Sequence, residues 1–367
     1  MNSRERLTRL LNGQEIDRIP IWLLAPFHRI GCYTDIYNNA SYKKVVEYIG
    51  KYCDTFDRRW YELGFCRNAN PGIILNSEKR KIGANSADVT TMNYKDLTLA
   101  KYISKGADGT KVKFFVEDID QLEDILNIPY VPPQPDVSAY FTEKAELGNR
   151  GLMMVDIGDP LVDLYNLMSA EDFSMFSLTE YDKILQFTDE IYRRCLENYK
   201  YLLDRDVGEV FFIVGAEFAG PPLVSPNKFN ELSVRYVKGI VDLVRKYGKK
   251  SIVHYHGNLK QVLPGMKEIN PDGLHTIEAP PIGDCTITQA REVLGNDMVL
   301  IGNVQYDDLV RKSGDEIEAM VYEAIEQGKG GRFILSPSAG PYEDVITPKT
   351  TDNYIRFIEA GLKYGKL

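Results

Sequence analysis

Two of the four histidines, His254 and His256, stand one residue apart at the end of the apolar run Ser251-Ile252-Val253. Glu278 closes the next such run, Leu274-His275-Thr276-Ile277. On a strand, residues two apart leave the same face, so both imidazoles point one way. Neighbouring strands lie about 4.8 Å apart, close enough for side chains at adjacent ends to meet on one ion. Two imidazoles and a carboxylate form a usual ligand set for a catalytic zinc with an open position. The same three residues also suit a metal-free group in which Glu278 is the hydrogen-bonding partner of the histidines. Spacing alone leaves both readings open.

Other polar residues follow apolar runs in the same way. Glu217, in Gly215-Ala216-Glu217-Phe218, and Asp156, in Asp156-Ile157-Gly158-Asp159-Pro160, are the candidate catalytic carboxylates. Glu217 is placed to act as a base or to bind a polar group of the substrate, with an ion pair as the plainer alternative. Asp156 has capping the next turn as its alternative. Asn258 and Asn303 are candidates for binding substrate, and Asn303 equally suits satisfying loop backbone. Arg29, beside His28 in Pro26-Phe27-His28-Arg29, is a third substrate-binding candidate, with surface placement as the alternative. His275 sits inside its apolar run and reads as a packed or supporting histidine. Cys285, seven residues past Glu278 in a loop able to fold over the mouth, is a lesser candidate for a fourth ligand. Gly-x-Ser-x-Gly is absent and no nucleophile pairs with a histidine, so serine hydrolysis is set aside.

The elements that must position these residues alternate regularly. Apolar runs at 152–155, 210–214, 251–253, 274–277, 298–301 and 332–335 are separated by helical stretches near 180–204, 226–247, 259–268, 287–294, 314–327 and 348–363. Continuous apolar strands, each followed by a helix, imply a parallel sheet covered on its outer face. With Ile19-Pro20-Ile21-Trp22-Leu23-Leu24 as a first strand there are about seven such units, and the expectation is a closed (β/α)8 TIM barrel. No Gly-x-Gly-x-x-Gly follows that strand, which removes the usual support for a dinucleotide fold. A short helix over Ser3–Leu11 precedes it, Tyr42 to Trp60 reads as helix, and about 75–120 reads as an inserted β-hairpin region. The whole chain, 1–367, is expected to form one barrel domain. In such barrels function sits where strands end.

Lys and Arg number 44 against 53 Asp and Glu, a net charge of 44 − 53 = −9. With no basic block, neither nucleic acid nor an anionic membrane is an expected partner. No stretch reaches the 18 or so apolar residues of a membrane span. The start alternates charge, and five cysteines form no C-x-x-C pair, so a reduced, cytoplasmic location is expected. A homodimer is left open.

At these residues the chain resembles the uroporphyrinogen decarboxylase superfamily, which includes zinc-dependent methyltransferases acting on methylcobamide and coenzyme M. The likeness is carried by Gly13, Asp17-Arg18-Ile19-Pro20, Trp22, Gly257-Asn258, Gly302-Asn303 and Pro337-Ser338-Ala339-Gly340. The family fold is a (β/α)8 barrel. The decarboxylase branch has an arginine-rich segment after the first strand, where this chain offers only Arg29. The methyltransferase branch holds zinc with a His-x-Cys pair and a later cysteine, and those positions are similar to His254, His256 and Ala339. Cobalamin-independent methionine synthase places a glutamate in a Thr-Ile-Glu context, which looks like Thr276-Ile277-Glu278 here. The resemblance implies zinc on His254, His256 and Glu278, without thiolate. Such an ion is harder and favours oxygen. The expected activity is therefore zinc-dependent methyl transfer between a small, methoxylated substrate and a cobalamin or methylcobamide carried by a separate corrinoid protein. Alternatives are methylcorrinoid-to-thiol transfer, a decarboxylase-like lyase, and a non-catalytic corrinoid- or tetrapyrrole-binding barrel.

Overall fold

The computed structural model describes residues 1–28, 34–83, 85–106 and 109–367. Eleven strands are named among them: β1 Thr55–Arg59, β2 Ile74–Ile82, β3 Asn85–Tyr94, β4 Leu97–Gly106, β5 Gly109–Lys113, β6 Gly151–Gly158, β7 Val210–Val214, β8 Lys250–His254, β9 Gly273–His275, β10 Val299–Val304 and β11 Phe333–Pro337. They form two sheets. One is a seven-stranded sheet in the order β1-β6-β7-β8-β9-β10-β11, and every pairing in it is parallel. The other is the antiparallel meander β2-β3-β4-β5, within Ile74–Lys113.

Helices follow the parallel strands as their periodicity implies. Tyr181–Leu203, for example, buries Ile184, Phe187, Ile191, Cys195, Tyr199 and Leu202, one face of a 3.6-residue repeat. These faces join the outer side of the sheet in one apolar cluster. A second cluster fills the inner side with Trp22, Phe56, Met154, Phe212, Ile252, Ile301 and Ile334, and the N-terminal helix Ser3–Leu11 adds Leu7, Leu10 and Leu11 to it. Burial on both faces is why the strands read as unbroken apolar runs.

The segment around Pro20 is less regular than a strand. Trp22 N–H donates to the Leu335 carbonyl at 2.9 Å, and Leu335 N–H donates to the Pro20 carbonyl at 2.9 Å. On the other side, Asp54 N–H donates to the Ile21 carbonyl at 2.7 Å. Ile21 thus touches β11 at one edge of the sheet and the residue before β1 at the other. Pro20 has no N–H to give, which limits the ladder to these few bonds. Asp54 anchors the segment from beneath, accepting from Arg6 Nη1 at 2.6 Å, Arg18 Nη1 at 2.7 Å and Ile21 N–H at 3.0 Å.

One expectation is corrected. The stretch Tyr42 to Trp60 is helical only to Tyr52, and Thr55–Arg59 is the first strand of the parallel sheet. Asp57, Arg58 and Arg59 resemble a solvated helix face in sequence, yet all three are buried. Each is neutralised across the fold. Asp57 accepts from His28 Nδ1 and Arg59, Arg59 also holds Glu143, and Arg58 holds Asp156.

Candidate active site

Because the seven strands run in one direction, their C-terminal ends gather on one side of the sheet. Asp156, Phe212, His254 and His275 lie at or near the ends of β6, β7, β8 and β9, with Asp156 opposite Phe212 and His254 opposite His275 in register. Asp156, His254 and His275 bring polar groups to the edge of the apolar inner cluster to which Phe212 belongs. Arg58 lies across Asp156, donating to it from Nη2 at 2.6 Å and from Nε at 3.0 Å. The guanidinium also covers the Phe212 ring, 5.3 Å from its centroid. Burial pushes the Asp156 carboxyl up, and Arg58 offsets only part of that rise. Asp156 thus pairs with Arg58, and the cap of the following helix is Asp159 instead. Arg58 itself was not singled out from sequence: 98 residues separate the pair.

The histidines divide into two contacts. His254 Nδ1 and His275 Nδ1 are 2.8 Å apart, and their rings stack at 4.9 Å and 19°. His275 is 1% exposed and packs against Trp22 and Phe212. Burial lowers the pKa of both rings, to about 3 for His275 and well below its ordinary value for His254, with the nearby Arg58 charge acting in the same direction. Both shifts favour the neutral imidazole, the form in which histidine binds a metal.

His256 turns the other way, to Glu278. Its Nδ1 is 3.2 Å from Glu278 Oε1, while Glu278 Oε2 accepts the Gly257 N–H at 2.7 Å. Burial opposes charge on His256, but the Glu278 hydrogen bond and the charges of Glu278 and Glu217 raise its pKa overall. Burial likewise opposes charge on Glu278, and His256 carries its pKa below the ordinary carboxylate value. His254 and His256 remain edge to face, with centroids 4.4 Å apart.

Glu217 sits on the single turn Ala216–Ala219 after β7, its Oε2 accepting the Gly215 N–H at 3.3 Å. Gly215 has φ +119°, and a Cβ there would lie 2.1 Å from Asp159 Oδ1. Only glycine admits this turn. Burial raises the Glu217 pKa. Asp159, also missed by sequence reasoning, caps the helix Pro160–Leu167 through the Leu161 N–H at 2.9 Å. Its own pKa is raised well above normal, first by burial and then by Glu217.

The remaining candidates are spread more widely. Asn258 is half-buried beside the cluster, its carbonyl accepting from the Tyr255 hydroxyl at 3.0 Å. Asn303 lines a cavity of about 270 Å³ with Ala279, Pro281, Gln305 and Gln327. Cys285 is buried; its Sγ meets the Thr286 carbonyl at 3.4 Å, and burial pushes the thiol up to about 11. Ala339 packs against the outer apolar cluster. Arg29 lies outside the described residues.

Among the described residues, no three His, Cys, Asp or Glu side chains group so as to hold a metal ion as they stand. The donor set nevertheless suits one in part. Ligands about 2.0–2.1 Å from a tetrahedral zinc are about 3.3 Å from each other, and His256 Nδ1 and Glu278 Oε1 have this spacing at 3.2 Å. His254 Nδ1 is engaged by His275, which leaves its Nε2 for any other partner.

Fold and strand-end cluster together define an α/β protein with a polar site at the carboxyl ends of a parallel sheet. The family model for uroporphyrinogen decarboxylase matches residues 108–361, and the chain belongs to that family. No curated protein matches its sequence. Among solved structures it is similar to a methyltransferase from Methanosarcina mazei, with TM-score 0.63 and 16% identity over 99% of each chain. It also matches a B12-independent methionine synthase from Shewanella sp. W3-18-1, with TM-score 0.43 and 12% identity over 80% of this chain and 75% of that one. Among the described residues, no helix is long and apolar enough to cross a membrane.

Proposed function

We propose that the chain is a methyltransferase whose strand-end cluster binds zinc through His254, His256 and Glu278, and that it moves a methyl group from a small methoxylated substrate to a reduced corrinoid on a partner protein. The observation that carries this reading is the 3.2 Å approach of His256 Nδ1 to Glu278 Oε1, with the His254 ring edge to face against His256. In the same reading Ile19–Leu24 is the eighth wall of a closed barrel, touching β11 on one side and the start of β1 on the other.

When bound, zinc supplies Lewis acidity toward a substrate oxygen. The chain's own residues do the rest. Glu217, with its raised pKa, holds a proton nearer to neutral pH than a surface carboxylate and delivers it to the oxygen that loses its methyl group. Arg58 and Asp156 form a fixed polar floor, and Asn258 and Asn303 orient the substrate. A decarboxylase-like lyase has less support. Arg58 and Arg59, the arginines at the end of β1, are both committed to carboxylates and do not stand ready for a polyacidic substrate. Methyl transfer from a methylcorrinoid to a thiol, which Cys285 as a further metal ligand would favour, has less support too, since Cys285 is buried with its Sγ on the Thr286 carbonyl.

The test is to incubate zinc-treated protein with reduced cobalamin and a panel of methoxy compounds while following the cobalamin absorbance. Formation of methylcobalamin with release of the hydroxy compound is expected. A flat absorbance across the panel, with zinc shown to be bound, would count against the reaction.

A further inference from the structure

We infer that the antiparallel meander Ile74–Lys113 is the docking surface for the partner of this reaction, an acidic protein that carries the corrinoid. The identity of the occupant rests on the proposed methyl transfer, whereas the surface itself is read from charge, exposure and register. Between residues 74 and 113 the chain has eight Lys and Arg and four Asp and Glu, 8 − 4 = +4, so the remaining residues carry −9 − 4 = −13. A basic sheet is thus mounted on an acidic body.

Strand pairing gathers lysines and exposed aliphatic side chains on one face. Residues two apart on a strand share a face, as do directly paired residues. The pairs Ser77↔Thr90, Thr90↔Lys101 and Ile103↔Val112 therefore place Leu75, Lys81, Lys101, Ile103, Lys105 and Val112 together. Asp88 is the only carboxylate that β2 to β5 place there among the described residues, and Lys79 lies 3.4 Å from it. Leu75, Ile103 and Val112 are 51%, 59% and 48% exposed. Lysines alone would serve to blunt the sheet edges against pairing. That does not account for Ile103, which stands on β4 between two paired strands, with Lys101 and Lys105 on either side of it. An apolar centre with charge of one sign around it fits a protein surface of the opposite charge. A second copy meeting the same face would set lysine against lysine, and nucleic acid would find no exposed aromatic ring there for its bases. Four strands spaced by about 4.8 Å make a face of roughly 500 Å², below the ~800 Å² per partner of a stable complex. A contact of that size suits a carrier that leaves after each transfer.

The face also leads to the candidate site. A cavity of about 390 Å³ lies between it and the helix Pro160–Leu167, with Lys101, Ile103, Val112, Tyr165 and Asn166 in its wall. The Tyr165 ring stacks on Phe218, centroids 3.8 Å apart and planes at 6°, and Phe218 is the neighbour of Glu217. A protein seated on the meander therefore lies beside the strand ends, where the corrinoid must arrive.

The experiment places a photo-crosslinking amino acid at Ile103 of the full chain in cells of its source, with Leu178, 80% exposed on the helix Ala170–Thr179, as the control position. The crosslinked protein is identified by mass spectrometry, purified, and assayed for cobalt and for binding to the whole chain. We expect an acidic, cobalt-bearing protein from Ile103 and not from Leu178. Lys81→Glu with Lys105→Glu should weaken its binding about tenfold or more, and raising the salt from about 50 to 200 mM should weaken the wild type more than this variant. Ile103→Ser should weaken binding with the salt dependence unchanged. All three positions are exposed, so both variants should keep the wild-type circular dichroism and the wild-type methyl transfer to free cobalamin. Capture of nothing, of a second copy, of nucleic acid or of a protein without cobalt would overturn the inference, as would unchanged binding in the folded lysine variant. If a cobalt-bearing partner binds as stated while free cobalamin gains no methyl group from any methoxy compound, the methoxy reading fails and the docking surface stands.

Discussion

His256 and Glu278 face each other through Nδ1 and Oε1 at 3.2 Å, and the second carboxylate oxygen is held by the Gly257 N–H at 2.7 Å. Glu278 is thus fixed at both oxygens, and it is the group that carries the His256 pKa above its ordinary 6.5 against the effect of burial. Glu278→Gln keeps the shape and removes the charge. In the metal-free variant the His256 pKa should drop to 6.5 or below, read by NMR titration. An unchanged value would show that Glu278 does not govern His256.

Arg58 and Asp156 are a buried pair on adjacent strands, with Arg58 8% exposed. Removing one partner of such a pair strands the other charge and costs about 3–5 kcal/mol, whereas replacing both with apolar residues is often close to neutral. Asp156→Ala should destabilise by about 3 kcal/mol or more in urea unfolding, and Arg58→Met with Asp156→Leu should recover most of that loss. Equal losses in the single and double variants would contradict the pairing as the reason Asp156 matters to stability.

The fold should weaken in mild acid through His275. Its pKa is about 3 when folded and 6.5 when exposed, so between these values the unfolded chain binds the extra proton. Stability contributed by the neutral ring is full above 6.5 and declines as pH falls toward about 3, by up to about 1.4 kcal/mol per pH unit. Urea unfolding of the metal-free protein between pH 7 and 4.5 should show a shallower decline in His275→Gln than in the wild type. Parallel curves would contradict the depressed pKa.

Gly215 holds the turn that presents Glu217. At φ +119° any side chain is strained, and a Cβ would press on Asp159 at 2.1 Å. Gly215→Ala should cost about 2–3 kcal/mol and impair methyl transfer by displacing Glu217. A variant with wild-type stability would show that the turn relaxes at little cost.

Much of this was legible because burial writes itself into composition. Strands β6 to β11 are apolar runs since both faces are covered, and the histidine pair and Glu278 stood out because polar groups interrupt those runs. β1 was hidden for the opposite reason. Its Asp57, Arg58 and Arg59 are buried by pairing with Asp156, Glu143 and His28, partners 29 to 98 residues away whose proximity no local pattern reveals. His275 was recognisable as a packed histidine, but its approach to His254 depends on the register of β8 against β9. The few ladder bonds around Pro20 follow from its missing N–H, a local property that the sequence carries.

Diffraction from zinc-treated crystals, recorded on both sides of the zinc absorption edge, tests the central claim most directly. The account predicts one anomalous peak bounded by His254 Nε2, His256 and Glu278. No peak there, with His256 still on Glu278 and His254 still on His275 in the electron density, would contradict it.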